Sequence, residues 1–404
     1  MSVDILILNS AVVDFRSGEF DFVKKIVGPG GLAKCPVSDM PDYSQQHYMQ
    51  WIEEGNATAG GSGNTAPLIS RAGLKVAVGT NLGKGKFDGL DAQGRYFYDL
   101  MVSFDVDMSQ TYIHPSLHTG TTFIYQKEIG ERSGLAYFPN ANDDFDFEHF
   151  KSAVISMNPK IVYYMYSGLS RRGDANGGKD LADFMKWCRE NRIITIADAH
   201  TLTGNPQDAI DAGNSIKEYE LLIPLLPQLD FFFISIDEAK LLKNTLDHPE
   251  NWSQLSQKDA ANCVLAFITH NFWQNSARPR VVGITVSDGA YVIKSNNKGS
   301  VSRVQKVTSR YKCGDVVDLV GAGDSFRAGF VTYVAQNMEQ FKDGSINIEE
   351  AVQMGNLVAS LYIKSPLEYR YENIGAYEKM YKLIEKNEVF DDFDTLKAAV
   401  KHQC

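Results

Sequence analysis

The sequence predicts a doubly wound α/β fold, in which helices flank a mostly parallel sheet and a small β lid is added. Short, continuously apolar runs have the length of strands that are buried on both faces of a parallel sheet. From about residue 150 onward, helical patterns fall between these runs. Two stretches, 15–58 and 103–140, do not fit the pattern of alternating strands and helices and are expected to form the lid. With no internal repeat and no linker, residues 1–404 are expected to form a single domain that contains both lid segments.

Six apolar runs are the predicted strands of the sheet. They are VDILIL (3–8), KVAVG (75–79), KIVYYMY (160–166), IITIAD (193–198), DFFFISI (230–236) and RVVGITV (280–286). Apolar residues recur at spacings of three and four in three intervening segments, which predicts helices over 180–191, 215–226 and 257–273. Within the second lid segment, GTTFIYQKE (120–128) and GLAYFP (134–139) are typical of paired antiparallel strands around a turn.

Composition and charge exclude several classes of protein. Forty Lys+Arg against fifty Asp+Glu give a net charge of -10, and no basic cluster suited to a phosphate backbone is present, so nucleic acid is not an expected partner. The five cysteines are scattered and never form Cys-x-x-Cys, which argues against a disulfide framework or a zinc site. The start of the chain is acidic and its longest apolar stretch is broken by prolines, so we expect no export signal, no membrane span and a cytoplasmic location.

The stretch DVVDLVGAGDSFRAGF (315–330) carries the clearest chemical signal. Gly321 and Gly323 lack Cβ atoms, so the turn can aim successive N–H groups into one concavity. The helix that follows adds the partial positive charge of its N-terminus, which suits a phosphate. Asp324 has two interpretations at this position: it accepts a proton from a hydroxyl that attacks the phosphate, or it caps the helix.

The segment DLVGAGDSFRAGF resembles the C-terminal signature of the ribokinase-type (PfkB) carbohydrate kinases, Asp-Thr-x-Gly-Ala-Gly-Asp-x-Phe. The resemblance implies a ribokinase-like fold with Asp324 as the general base. It also implies that the amides of Gly321, Ala322 and Gly323 form an anion hole for the γ-phosphate of ATP. The order of the remaining segments along the chain agrees with this family over nearly the whole sequence.

The same resemblance implies a site for the acceptor. NSAVVDF is expected to close the first strand with Asp14, the family's position for a carboxylate that binds substrate hydroxyls. AGGSGNTAPL resembles the N-terminal signature, in which Gly60 and Gly61 allow close approach of a sugar and Asn64 bonds its hydroxyls. The spacing between the glycine pair and Asn64 is one residue shorter than the usual Gly-Gly-x-x-x-Asn.

Two metal sites are implied. Glu238 matches the glutamate of an Asn-x-x-Glu motif tied to Mg²⁺ and its water shell, although Ser235 replaces the asparagine. In family members that a monovalent cation such as K⁺ activates, the position of Asp318 helps to hold that ion. Here Leu319 stands where threonine is usual.

The nucleotide site is implied by two further segments. GITVSDGAYVI resembles the Thr-x-Gly-x-x-Gly turn that lies against the nucleotide, with Thr285, Ser287 and Gly289 as its contact residues. This turn is one residue shorter and lacks the middle glycine. GNLVASLYIKSPL resembles the last helix on the adenine side and places Asn356 near the base.

The sequence therefore predicts an ATP- and Mg²⁺-dependent kinase that transfers the γ-phosphate to a hydroxyl of a sugar. A nucleoside kinase remains an alternative, because Gly-Gly-Ser at 60–62 resembles the corresponding segment of adenosine kinases. A catalytically weak, ligand-sensing member of the same fold is a further alternative. Arg171 and Arg172 either bind the phosphate of a phosphorylated acceptor or lie on the surface. The long segment 16–58 either enlarges the lid or forms the contact of a homodimer.

Overall fold

The computed structural model describes residues 2–126, 134–273 and 278–402. In these residues the strands are β1 Ile5–Leu8, β2 Ala11–Ser17, β3 Leu32–Lys34, β4 Ala57–Gly61, β5 Val76–Gly79, β6 Asn81–Phe87, β7 Tyr112–His114, β8 Gly120–Tyr125, β9 Leu135–Phe138, β10 Ile161–Ser167, β11 Ile194–Ala199, β12 Phe231–Ser235, β13 Arg280–Val286, β14 Gly289–Ser295 and β15 Gln305–Thr308.

The α-helices of the same residues are α1 Asp21–Ile26, α2 Gln45–Glu53, α3 Ala66–Arg71, α4 Ala92–Ser103, α5 Phe147–Met157, α6 Lys179–Glu190, α7 Pro206–Asp211, α8 Leu222–Leu225, α9 Ile236–Leu246, α10 Gln257–Phe272, α11 Ala322–Gln336, α12 Met338–Asp343, α13 Ile348–Ile363, α14 Tyr377–Glu385 and α15 Phe393–His402. Among them, none is both long enough and apolar enough to cross a bilayer.

The main sheet has eight strands in the order β15-β14-β13-β12-β11-β10-β1-β5, in which the pairs β13–β14 and β14–β15 are antiparallel and the other pairs are parallel. Along β1, Ile5 and Ile7 pack into the core on one face, and Leu6 and Leu8 pack into the core on the other. Helices α3, α11, α13 and α14 cover the first face, and α5, α6, α9 and α10 cover the second. The predicted doubly wound fold is confirmed.

A second sheet of five strands, in the order β3-β9-β8-β2-β4, forms the lid. Asp14 and Arg16 of β2 face the main sheet, whereas Phe15 faces away from it. The predicted antiparallel pair of 120–128 and 134–139 is present as β8 and β9, but the connection at 127–133 lies outside the described residues. The division of the chain into one domain with two lid segments stays a prediction.

Helices α1 and α2, which lie in the long segment 16–58, cover the outer face of the lid sheet. Phe20 packs edge-on against Phe123 of β8 and Trp51 of α2, with ring centroids 5.1 and 5.3 Å apart. Phe15 of β2 lies 5.1 Å from Tyr48 of α2. The extra length therefore buries an apolar sheet face that would otherwise be open to solvent.

The structure corrects two predictions. Asp14 does not close the first strand: β1 ends at Leu8, and the left-handed residues Asn9 and Ser10 (φ 69° and 56°) turn the chain into β2, so Asp14 lies within a lid strand. The segment predicted as one helix over 215–226 is not a continuous α-helix: short 3₁₀ helices flank the four-residue helix α8. Pro224 and Pro227 cause the interruption, because neither can donate a backbone hydrogen bond.

Candidate active site

The candidate site lies at the carboxyl ends of the parallel strands, beneath the lid sheet. A cavity of about 40 Å³ is bordered there by residues from the lid, the main sheet and the start of α11. Those that sequence reasoning had singled out are Asp14, Gly61, Asn64, Gly321 and Asp324. Residues that are far apart in the chain, and that were predicted separately, thus meet in one place.

The turn before α11 borders this cavity through Gly321. Gly321 is the N-cap of α11 and adopts a left-handed conformation (φ 83°), which favours glycine. In the described parts of the chain, the amides of Gly321 and Gly323 have no acceptor, whereas the amide of Ala322 donates to the carbonyl of Leu319 at 3.1 Å. Two of the three predicted amides are therefore available to an anion.

Asp324 does not cap the helix. Its Oδ1 accepts from Arg327 Nη2 at 2.7 Å, and its Oδ2 accepts from Asn64 Nδ2 at 2.9 Å and from the Tyr166 hydroxyl at 2.7 Å. No side chain caps the N-terminus of α11. The carboxylate is only 5% exposed and borders the cavity. The capping interpretation is therefore excluded, and the proton-accepting interpretation stays a prediction.

A buried ion cluster of Arg327 and Asp198 contacts Asp324 through Arg327. Arg327 Nη2 also lies 3.0 Å from Asp198 Oδ2, and Arg327 Nε donates to the Tyr163 hydroxyl at 2.8 Å. Burial raises the pKa of Asp198, against the opposing charge of Arg327. Sequence reasoning missed this cluster, although Arg327 follows Asp324 by three residues and therefore lies on the same side of α11.

Tyr166 is a further residue that sequence reasoning missed. It has φ 66°, a left-handed conformation that is strained for a bulky side chain, and its amide donates to Asp198 Oδ1 at 2.6 Å. Burial and the charges of Asp324 and Asp198 raise the pKa of its hydroxyl well above the usual value. The hydroxyl therefore stays protonated at neutral pH and donates to Asp324.

On the lid side, Asp14 approaches the backbone of the glycine pair. Val12 of β2 pairs with Gly60 of β4, and a Cβ atom at Gly60 would lie 2.6 Å from Asp14 Oδ2, so a larger residue there would displace the Asp14 carboxylate. Burial raises the pKa of Asp14 to about 6, although the charge of Arg16 opposes the shift.

Asn64 connects the two halves of the site. Its Nδ2 donates to Asp324, and its Oδ1 accepts from the Tyr362 hydroxyl at 2.5 Å. Tyr362 in turn accepts from Arg370 Nη1 at 2.7 Å. Asn64 is therefore held in one orientation beside the candidate base, and nothing in the sequence marked Tyr362 or Arg370.

The two residues with predicted metal roles, Glu238 and Asp318, do not line the cavity themselves. Glu238 and Ser235 form a capping box at the start of α9, in which Glu238 Oε2 accepts from the Ser235 amide at 2.8 Å and Ser235 Oγ accepts from the Glu238 amide at 3.2 Å. Asp318 lies behind the Gly321 turn and is bonded to two arginines, Arg16 and Arg370.

The predicted nucleotide residues gather elsewhere, on β13, β14 and α13. Thr285 is the penultimate residue of β13, Ser287 lies in the two-residue turn to β14, and Gly289 begins β14. Asn356 of α13 donates to Gln353 Oε1 at 3.4 Å, and Gln353 Nε2 donates to the carbonyl of Thr308 in β15. The four residues therefore border one side of the molecule, outside the small cavity.

Solved structures with the same fold include several kinases. A probable sugar kinase from Rhizobium etli is 18% identical, with a TM-score of 0.63, and the match covers 96% of this chain and 99% of that one. An adenosine kinase from Anopheles gambiae is 19% identical, with a TM-score of 0.65 and coverage of 92% and 98%. A PfkB protein from Polaromonas sp. JS666 is 15% identical, with a TM-score of 0.57 and coverage of 94% and 99%.

The model of the pfkB family carbohydrate kinases matches residues 44–369, which is well over half of the 404 residues. The match includes the glycine pair, Asn64 and the turn that leads to Asp324. The chain belongs to the pfkB family of carbohydrate kinases, enzymes that phosphorylate hydroxyl groups of sugars and nucleosides.

Proposed function

We propose that this chain transfers the γ-phosphate of ATP to a hydroxyl of a sugar, with Asp324 as the general base. The observation that carries the proposal is the position of Asp324: a buried carboxylate that does not cap its helix, beside two unpaired amides and in the same cavity as Asp14. A proton acceptor and an anion site side by side are what attack of a hydroxyl on a phosphate requires.

The chain's own residues perform the positioning. The acceptor hydroxyl donates to Asp324, while Arg327 stays on Oδ1 and keeps the carboxylate in place. As the hydroxyl attacks, its proton passes to Asp324, and the amides of Gly321 and Gly323 stabilise the charge on the transferred group. A positioned base of this kind contributes about 10²- to 10⁴-fold to the rate.

Mg²⁺ fits this site through water and phosphate oxygens. Among the described residues, no group of three or more His, Cys, Asp or Glu side chains could hold a metal directly. Glu238 accepts one hydrogen bond at each carboxylate oxygen, from the Ser235 amide and from Thr201 Oγ1, and retains lone pairs for the waters of the ion. The ion would neutralise charge on the phosphates of ATP.

ATP itself is proposed to lie between the Gly321 turn and the edge formed by the β13–β14 hairpin and α13. Thr285, Ser287 and Gly289 would contact its phosphates and ribose, and Asn356 would lie near the base. Each of these contacts is part of the proposal.

The acceptor has to enter beneath the lid. A water molecule needs about 10–15 Å³, so the cavity of about 40 Å³ has room for a few waters. We propose that the lid sheet moves outward to admit a sugar. Asp14, Gly60, Gly61 and Asn64 are proposed to bind its hydroxyls. A phosphorylated acceptor is less favoured, because Arg172 is paired with Asp180 at 2.5 Å.

A nucleoside acceptor is the second candidate. Leu32, Leu135 and Leu169 form an apolar wall of the cavity that would suit a planar base rather than a free sugar. Adenosine kinases are also among the structures with this fold. The choice between the two depends on which acceptor stimulates the reaction.

The test is release of ADP from Mg-ATP across a panel of sugars, phosphosugars and nucleosides. Stimulation by a sugar supports the proposal, and stimulation by a nucleoside alone selects the second candidate. Ligand binding without ADP release from any acceptor would show a ligand-sensing protein instead and refute the kinase.

The cellular setting is proposed from the same features. Cys35, Cys188, Cys263 and Cys313 are free thiols, which suits a reducing cytosol that also supplies ATP. Cys404 lies outside the described residues. A homodimer remains a proposal that size-exclusion chromatography of the full chain tests.

A further inference from the structure

Asp318 is the centre of a buried ion cluster immediately behind the Gly321 turn. Its Oδ2 accepts from Arg16 Nη2 and from Arg370 Nη2, at 2.9 Å each, and its Oδ1 accepts from the amide of Val320 at 2.9 Å. Arg16 is 6% exposed and Arg370 is 0% exposed. Both oxygens of this carboxylate are therefore used, and both of its charged partners are shielded from water.

A monovalent cation does not fit this set of groups. An ion on Asp318 would stand in contact with two fixed guanidinium groups, which would repel it. The two arginines already exceed the single negative charge of the carboxylate. Although burial opposes ionisation, the charges of Arg16 and Arg370 hold the pKa of Asp318 below its ordinary value.

The cluster extends to the candidate base through hydrogen bonds of consistent direction. Arg370 Nη1 donates to the Tyr362 hydroxyl, Tyr362 donates to Asn64 Oδ1, and Asn64 Nδ2 donates to Asp324 Oδ2. The bond from Asp318 to the Val320 amide fixes the residue just before Gly321. One buried guanidinium thus orients both the base and the turn that carries the anion-binding amides.

We propose that the Arg16–Asp318–Arg370 cluster supplies the positive charge that a monovalent cation provides in the cation-activated members of the family. Phosphoryl transfer by this chain is then independent of K⁺, and Arg370 is a positioning residue that acts through Tyr362 and Asn64. The inference rests on the proposed function for its catalytic part, but its statement about cation binding does not require activity.

The first test compares the wild-type chain in KCl and in tetramethylammonium chloride at equal ionic strength. Equal rates of ADP release support the inference, and severalfold activation by KCl overturns it. The thermal unfolding midpoint is measured in the same two salts. Equal midpoints support the inference, whereas a rise specific to K⁺ overturns it, because an ion that binds the folded state stabilises it.

These two readouts separate the inference from the proposed function. If no acceptor stimulates ADP release in either salt, the proposed function fails, and the unfolding midpoints still decide whether the chain binds K⁺.

The second test is Arg370→Met, with Arg370→Lys as the conservative variant and the exposed Arg303→Met as the matched control. A displaced base predicts that Arg370→Met loses about 10²-fold in kcat with little change in the KM for the acceptor. Arg370→Lys is expected to recover part of that loss, and Arg303→Met to match the wild type. A folded Arg370→Met with wild-type kcat would overturn the positioning role. If Arg370→Met does not fold, the kcat of Arg370→Lys and the salt comparison decide.

Discussion

Replacement of Asp14 by asparagine is expected to change how stability depends on pH. The pKa of Asp14 is raised from 3.8 to about 6 by burial, so between these values the folded chain holds a proton that the unfolded chain has released. The free energy of unfolding therefore falls as pH rises through this window. A shift of about two units corresponds to about 3 kcal/mol, which is present below pH 4 and lost above pH 6.

The assay is urea unfolding at several pH values from 4 to 7. Groups distant from Asp14 titrate equally in both proteins, so the difference in unfolding free energy between Asp14→Asn and the wild type reports mainly on this carboxyl. The difference should increase in favour of Asp14→Asn by about 3 kcal/mol across the window. The exposed Asp183→Asn serves as the control and should show no such trend. A constant difference for Asp14→Asn would refute the raised pKa.

Three further predictions concern the site. Gly321→Ala adds a Cβ atom to a residue with φ 83° and brings it 3.0 Å from Asn64 Cγ, so the variant should lose about 1–2 kcal/mol of stability and most of its turnover. An unchanged melting temperature would contradict the requirement for glycine at this conformation. Arg327→Met leaves Asp198 buried without its charged partner and should lower the free energy of unfolding in urea by about 3–5 kcal/mol, whereas Arg327→Lys should show a smaller loss. Equal losses in the two variants would argue against the ion pair. Tyr166→Phe removes a hydrogen bond to the candidate base that is worth about 1.5–3 kcal/mol, and it should lower kcat/KM at least tenfold. Wild-type kinetics would exclude a role of Tyr166 in positioning the base.

Much of the main sheet could be predicted because its strands are buried on both faces. Runs such as IITIAD and RVVGITV are mostly apolar on both faces, so the pattern identifies β11 and β13 almost to the residue. The turn from Gly321 to Asp324 could be predicted as well, since a glycine-rich turn at the start of a helix is encoded by neighbouring residues.

The partners of the site could not be predicted, because they depend on contacts between distant parts of the chain. Tyr166 and Asp324 are 158 positions apart, and Arg16 and Asp318 are 302 positions apart. No local pattern pairs such residues. The position of Asp14 was predicted wrongly for a related reason: the turn at 9–10 depends on backbone conformations that residues other than glycine rarely adopt.

The most direct test of Asp324 as the base is the rate of acceptor-dependent ADP release by Asp324→Asn, with Asp183→Asn as the matched surface control. The proposed mechanism predicts a loss of about 10²- to 10⁴-fold in kcat with ATP affinity unchanged and with wild-type activity in the control. A loss of less than about tenfold in a folded Asp324→Asn would contradict the role of Asp324 as the base.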